Sequence, residues 1–166
     1  MDSPSSINAE DPRVTVHGER ARTLLISGEA GIGPIISLVE RLRSAKAAWK
    51  PLVLMESTNP FPFRTRPSTI VVPGIPAGAI ACMPLLESWN VPSRLATKSD
   101  FPGCFDGTVI ELADIWLKSL GLREIAEVEI FHCDMTDAIE ELARQYGVPC
   151  QQLRTDKPVL IERAVS

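Results

Sequence analysis

Residues 23–34, Thr-Leu-Leu-Ile-Ser-Gly-Glu-Ala-Gly-Ile-Gly-Pro, decide how the chain folds. The run TLLIS is short, apolar and rich in β-formers, and it stops at Gly28, as a buried strand does. Pro34 then stands where the first turn of a helix tolerates proline, because its missing N–H would have no partner there. Ile35, Leu38, Val39 and Leu42 follow at i, i+3, i+4 and i+7, which is one apolar stripe of a helix. Arg41, Arg43 and Lys46 complement the dipole at its far end. Pro51 opens a second apolar run, PLVLME. Strand, glycine turn, helix and strand within about 35 residues make a βαβ unit.

The same alternation extends to both sides. Order is expected from Val14, after a polar opening. Residues 57–68 (STNPFPFRTRPS) hold three prolines and read as an extended loop. Thr69–Val72 reads as a strand. Ala77–Trp89 reads as a helix that Pro84 breaks or restarts. Arg94–Thr97 reads as a short strand, and DFPGCFDG (100–107) as a turn-rich loop. Val109, Leu112, Ala113 and Trp116 mark a further helix, VEIFH (128–132) a strand, and Thr136–Tyr146 a helix stopped by Gly147. Pro149–Leu153 adds a last strand, with PVLIE (158–162) as an edge strand or tail. The expected fold is a single doubly wound Rossmann-like α/β domain. Its mostly parallel sheet has about five strands, with helices on both faces.

Composition narrows the partners. With 166 residues, 45% hydrophobic and 23% charged, the chain suits one soluble domain that buries its core without staples. A net charge of −4 gives no electrostatic reason to expect nucleic acid or an anionic membrane. No apolar run approaches the ~20 residues of a membrane span. The opening MDSPSSINAEDPR is neither a signal nor a transit peptide in character. Residues 1–13 therefore read as a flexible tail before a domain over 14–166. Cys82, Cys104, Cys133 and Cys150 stand far apart, with no C-x-x-C pair and only two histidines. That argues against a metal or iron–sulfur frame, and for free thiols in a reducing cytoplasm.

Chemistry concentrates in the turn Gly28-Glu29-Ala30-Gly31-Ile32-Gly33-Pro34. Glycines between a strand and a helix let backbone N–H groups and the positive helix end approach a phosphate. Ala30 takes the second glycine position of the G-x-G-x-x-G fingerprint, so plain turn geometry competes with nucleotide binding. Elsewhere, Arg64 and Arg66 are solvated loop arginines or a seat for a 2′-phosphate. Asp106 is a helix N-cap or a ribose ligand. Asp134, Asp137, Glu140 and Glu141 are an acidic helix start that complements the dipole or docks a basic partner. Cys104 is the loop thiol most open to reaction. His132 and Cys133 point to opposite faces of a strand and form no nucleophile pair. Trp49, Trp89 and Trp116 belong to packing.

Placed after TLLIS, GEAGIGP resembles the G-G-x-G-I-x-P loop of NAD(P)-binding domains of the ferredoxin–NADP reductase superfamily. More narrowly it resembles the electron-transfer subunit of dihydroorotate dehydrogenase and its relatives. FPFRTRPS, IVVPGIPAGAIACMPLLESWNVPSRLA and PGCFDGTVIELA have the character of that branch. Gly107, Thr108 and Val109 are similar to its G-x-V helix start. VEIFHCDM (128–135) is similar to its strand ending in Cys-Gly-Pro beside the nicotinamide. The resemblance spans about residues 14–153.

It implies NAD or NADP as cofactor, with Gly28, Gly31 and Gly33 cradling the pyrophosphate within the loop Glu29, Ala30, Ile32 and Pro34 complete. It places Gly107, Thr108, Cys133 and Asp134 at the nicotinamide end. The departures matter equally. The stretch before Thr23 is too short for the family's flavin barrel, so FAD would come only through a flavoprotein partner chain. No cysteine follows Cys150, so no iron–sulfur cluster is expected. Glu29 replaces a glycine, and a carboxylate ~4 Å from a phosphate charge costs about 1 kcal/mol in water and ~4 kcal/mol at an effective dielectric of 20. Asp134-Met135 replaces Gly-Pro and adds a second negative group. Dinucleotide affinity is therefore expected to be weak or lost. Two functions follow: a stand-alone NAD(P)-binding component of an oxidoreductase that needs a separate flavin domain, or a scaffold or regulatory module that kept the fold. A small hydrolase built on Cys104 or Cys133 is a weaker third, since neither has a base nearby. No catalytic residue or metal ligand is assigned, and the oligomeric state is open.

Overall fold

The structure, a computed structural model, describes residues 13–17, 19–45, 49–134, 136–153 and 160–163. Strand β1 (Arg13–Val16) precedes β2 (Arg22–Ser27), a 3-10 turn (Glu29–Gly31), helix α1 (Ile32–Ala45) and strand β3 (Lys50–Glu56). Next come the two-residue strands β4 (Arg66–Pro67) and β5 (Ala81–Cys82), helix α2 (Pro84–Ser88), β6 (Ser93–Thr97) and β7 (Phe105–Asp106). Helices α3 (Val109–Lys118) and α4 (Leu122–Ile125), strand β8 (Val128–Cys133), helix α5 (Thr136–Tyr146), β9 (Cys150–Gln152) and β10 (Leu160–Arg163) complete the order.

Six strands form one sheet in the order β7-β6-β3-β2-β8-β9, and every neighbouring pair is parallel. Alternate residues of the central strands feed two cores. Leu25, Val53, Met55 and Phe131 pack under α1 and α2. Leu24, Ile26, Leu52, Leu54, Val128 and Ile130 pack under α3 and α5. Burial on both faces explains why these strands read as continuous apolar runs rather than alternating ones. Each fully buried Leu or Ile contributes about 1.5–3 kcal/mol of transfer free energy, so the central strands are fixed firmly. The expected fold class is present. The sixth strand is β7, from within the expected 100–107 loop.

The helical stripes fall where the spacing put them: Ile35, Leu38, Val39 and Leu42 of α1 are buried, as are Val109, Leu112, Ala113 and Trp116 of α3. Gly147 follows α5 with φ +66 and stops it. Arg43 lies 4.6 Å over the Trp89 ring. Trp49 donates from Nε1 to Thr23 Oγ1 at 2.8 Å. The ribbon β1–β10 is a separate parallel pair, tied to β9 where Thr15 N–H donates to Gln151 Oε1 at 2.7 Å.

Two expectations are corrected. Thr69–Val72 is not a strand, because side chains consume its backbone groups. The Glu87 carboxylate takes the Thr69 N–H at 2.7 Å, and Arg94 donates to the Ile70 carbonyl at 2.6 Å. The helix expected over 77–89 is only α2, opening at Pro84; Ala81 and Cys82 instead pair antiparallel with Pro67 and Arg66. Strand β1 starts at Arg13, the last residue of the expected tail. The rest of that tail, Lys46 and Met135 lie outside the described residues. Among the described residues, no helix is long and apolar enough to cross a membrane.

Candidate functional site

In a doubly wound sheet, ligands bind beyond the carboxyl ends of the strands, where the strand order reverses. Here the reversal lies at β2, which has β3 on one side and β8 on the other. Ser27 and Cys133 end those two paired strands in register. The glycine turn therefore sits at the switch point, with β8's exit on one flank and β3's exit on the other.

The turn is packed tightly at Gly31 and has open space beside Gly33. A Cβ on Gly31 would lie 2.6 Å from Cys133 Cβ, 3.0 Å from Ser27 Cβ and 3.2 Å from the Cys133 carbonyl. Only glycine lets the turn approach β8 so closely. Gly33, two residues later, has nothing within 4 Å of the same position. Gly28 stands at the N-cap position with extended backbone and no side-chain cap. Its N–H reaches the Cys133 carbonyl at 3.4 Å. Beneath the turn, the Ser27 hydroxyl is fully buried and without a hydrogen-bond partner among the described residues. Ile32 and Pro34 belong to the first turn of α1, and Ala30 is exposed beside Glu29.

Glu29 and Asp134, the two acidic residues at the turn, have definite positions. Glu29 turns toward the exit of β3. It accepts from the Ser57 hydroxyl, from Asn59 N–H at 3.1 Å and from Asn59 Nδ2 at 3.0 Å. The Ser57 hydroxyl first, then the Asn59 N–H, holds its carboxyl below the usual range. Asp134 adopts φ +78 directly after β8. Its Oδ2 and Cβ lie 3.5 Å from where a Cβ on Gly28 would stand, so the carboxylate sits over the turn.

Cys133 does not offer a nucleophile. Its thiol donates to the Leu153 carbonyl at 3.6 Å, and burial, then the Asp134 charge, push it up to about 12. His132 is fully buried, with neither ring nitrogen partnered among the described residues, and burial pulls it down to about 4. Cys104 is half-buried against the core, and that burial raises its thiol as well, contrary to the reactive reading.

Gly107 and Thr108 reach the same edge of the sheet on the far side of β2 from Cys133. Gly107 has φ +156, and a Cβ there would lie 2.8 Å from the Phe105 ring. Thr108, not Asp106, is the N-cap of α3. Its Oγ1 accepts from Glu111 N–H at 3.1 Å, Glu111 Oε1 accepts from Thr108 N–H at 2.9 Å, and Glu56 Oε1 accepts from Val109 N–H at 2.6 Å. Asp106 loses the cap because it lies two residues too early, in β7. Arg64, Arg66, Asp137, Glu140 and Glu141 are exposed, with Glu141 paired to Arg144 at 3.2 Å.

Ser57 and Asn59 escaped sequence reading, although they occupy the exit of the strand next to the glycine turn, where ribose-reading groups stand in such folds. Among the described residues, no group of three His, Cys, Asp or Glu could hold a metal ion. Comparison with protein-family models and with curated proteins found no match for the chain.

Proposed function

We propose that the chain is the dinucleotide-binding component of an NAD(P)H-linked electron-transfer pair, with the flavin carried by a partner chain. The observation that supports this most is the glycine turn at the switch point. The 3-10 turn there has no side-chain cap, leads into a 14-residue helix, and covers a buried serine hydroxyl that has no partner among the described residues. A diphosphate suits that place, since it accepts from first-turn amides and meets the positive helix end. Gly28 and Gly33 would face it, while Gly31 serves the approach to β8 and Ser27 lies buried beneath the turn. A dinucleotide held there would supply hydride chemistry, and a flavin on the partner chain would be its acceptor. Asp134 limits the affinity: an exposed carboxylate ~4 Å from a phosphate costs about 1 kcal/mol, roughly fivefold in Kd.

Titration calorimetry with NADH and ADP-ribose tests the reading. The expectation is a Kd weaker than about 10 μM for both, on the arithmetic that each uncompensated carboxylate costs up to ~tenfold. Absence of heat with either compound at millimolar concentration refutes it. A second reading, a module that kept the fold without the cofactor, is favoured by the position of the Asp134 carboxylate over Gly28. In that reading the aspartate is a permanent internal anion for the α1 start, and the same titration is silent.

A further inference from the structure

We propose that Thr69 is a phosphorylation site for an arginine-directed protein kinase, and that its phosphorylation opens the clasp by which Glu87 holds the loop after β4. This goes beyond the dinucleotide reading and does not depend on it. The segment Arg64-Thr65-Arg66-Pro67-Ser68-Thr69-Ile70 places arginines five and three residues before the threonine, and an apolar residue after it. From Ser57 to Leu86 the sequence has no Asp or Glu, although the whole chain carries a net charge of −4. Kinases that line their peptide groove with carboxylates select substrates by such upstream cations and reject acidic segments. Arg64, Arg66 and Thr69 are all exposed. Strand β4 and its Pro67 keep the approach to Thr69 out of a helix, so a groove can read it along its length. Ser68 is the poorer acceptor. Its half-buried hydroxyl donates to Glu87 at 2.8 Å and accepts from Ile70 N–H at 3.0 Å.

The Thr69 hydroxyl belongs to that clasp. Glu87 Oε2, on α2, accepts from Thr69 N–H at 2.7 Å and from Thr69 Oγ1 at 3.0 Å. In the transfer, Thr69 Oγ1 attacks the γ-phosphorus of a nucleoside triphosphate and the bond to the β-phosphate breaks. The nucleoside diphosphate leaves, and the hydroxyl proton passes to the kinase's base. The oxygen that donated to Glu87 then has no proton to give and carries a phosphate of nearly two negative charges. Two anions do not keep a hydrogen-bond distance, so Thr69 leaves Glu87. A cation lies beneath the same loop. Arg94 is 6% exposed, gives Nη2 to the Ile70 carbonyl at 2.6 Å, and has no partner for Nε among the described residues. A guanidinium fork suits a phosphate, so the loop exchanges Glu87 for Arg94.

The test uses the full chain, magnesium–ATP and a purified kinase selective for Arg-x-Arg-x-x-Ser/Thr, read by tandem mass spectrometry and by backbone hydrogen exchange. The wild type is expected to take its phosphate at Thr69, and Thr69→Ala to take none in this loop. Arg66→Gln should lower kcat/KM for the transfer at least ~tenfold, the scale of one charge pair in the kinase groove. Circular dichroism verifies that both variants, each at an exposed position, are folded. After phosphorylation the Thr69 amide, which Glu87 holds in the unmodified chain, should exchange at least ~tenfold faster. No phosphate on the wild type, phosphate at a different residue, or a rate indifferent to Arg66→Gln overturns the site. A phosphorylated chain whose Thr69 amide exchanges as before overturns the opening of the clasp.

Discussion

Two long helices begin at the same carboxyl edge of the sheet, and they begin in opposite ways. The start of α3 is closed by side chains: Thr108 and Glu111 cap each other's backbone, and Glu56 takes the Val109 N–H. The 3-10 turn that leads into α1 has Gly28 at its cap position and no side-chain cap. One dipeptide makes the distinction. At the exit of β3, Glu56 faces α3 and caps it, whereas Ser57 faces the α1 turn, gives its hydroxyl to Glu29 and takes the N–H of Asn59 rather than one from the start of α1. A helix start whose amides are held by its own side chains contributes stability and has little left for a ligand. A start left to glycine forgoes that stability and presents donors outward.

Acid separates the faces beneath the two helices most strongly. His132 shares a face with Ile130, under α3 and α5, and is buried neutral with its pKa lowered to about 4. The unfolded chain binds that proton near pH 6.5 and the folded chain does not until about pH 4. Stability is thus full above pH 6.5 and falls as pH drops, by up to ~1.4 kcal/mol per unit and about 3 kcal/mol over the whole window. Under α1, Cys133 stays protonated throughout that range. Chemical denaturation at pH 7 and pH 5 should show this loss, and His132→Leu should remove most of the slope. An unchanged slope would place the acid sensitivity elsewhere.

Packing beneath the α1 turn comes next in size. Gly31→Ala puts a methyl 2.6 Å from Cys133 Cβ and 3.2 Å from a backbone oxygen, and overpacking of this kind costs about 1–3 kcal/mol. Gly33→Ala meets nothing within 4 Å and should gain about 0.5–1 kcal/mol from helix propensity. Urea midpoints distinguish them, and equal shifts would mean that the turn's glycines do one job. Asp134→Gly should act on binding instead. It relieves φ +78, worth about 1 kcal/mol, and clears the carboxylate from above Gly28. NADH affinity should rise about fivefold. A fall would make Asp134 a ligand contact rather than an obstacle.

How much of this the sequence carries depends on the range of the interaction. β2, α1, β3, α3, β8 and α5 were legible because each has its own apolar periodicity, and periodicity follows from burial. The short pair β4–β5 was not, since two-residue strands have no period and exist only through their pairing. Thr69–Val72 looked like a strand because Ile70, Val71 and Val72 are β-formers. Its backbone goes instead to Glu87 and Arg94, which are distant in sequence. The same limit governs the site. The glycine turn is local and could be read, and so could the awkwardness of Glu29 and Asp134. Their destinations are tertiary: Ser57 and Asn59 reach Glu29 across about 30 residues, and Gly28 meets Asp134 across the sheet. The cap of α3 fell to Thr108 rather than Asp106 through a two-residue shift in where β7 ends.

The smallest expected effects bear most directly on the contrast between the helix starts, because two hydroxyls of similar size should behave oppositely. Thr108→Ala removes a cap that is in use, and should cost about 1 kcal/mol of stability while leaving NADH affinity unchanged. Ser27→Ala removes a buried hydroxyl that has no partner among the described residues. It should leave the urea midpoint unchanged or slightly higher, since an unsatisfied buried polar group is a cost to the fold. If a phosphate oxygen is that hydroxyl's missing partner, Ser27→Ala should also weaken NADH binding by roughly threefold to tenfold, the worth of one hydrogen bond. A Ser27→Ala protein that is less stable and binds as before would make Ser27 a structural group, and the start of α1 would then differ from that of α3 in its cap but not in its purpose.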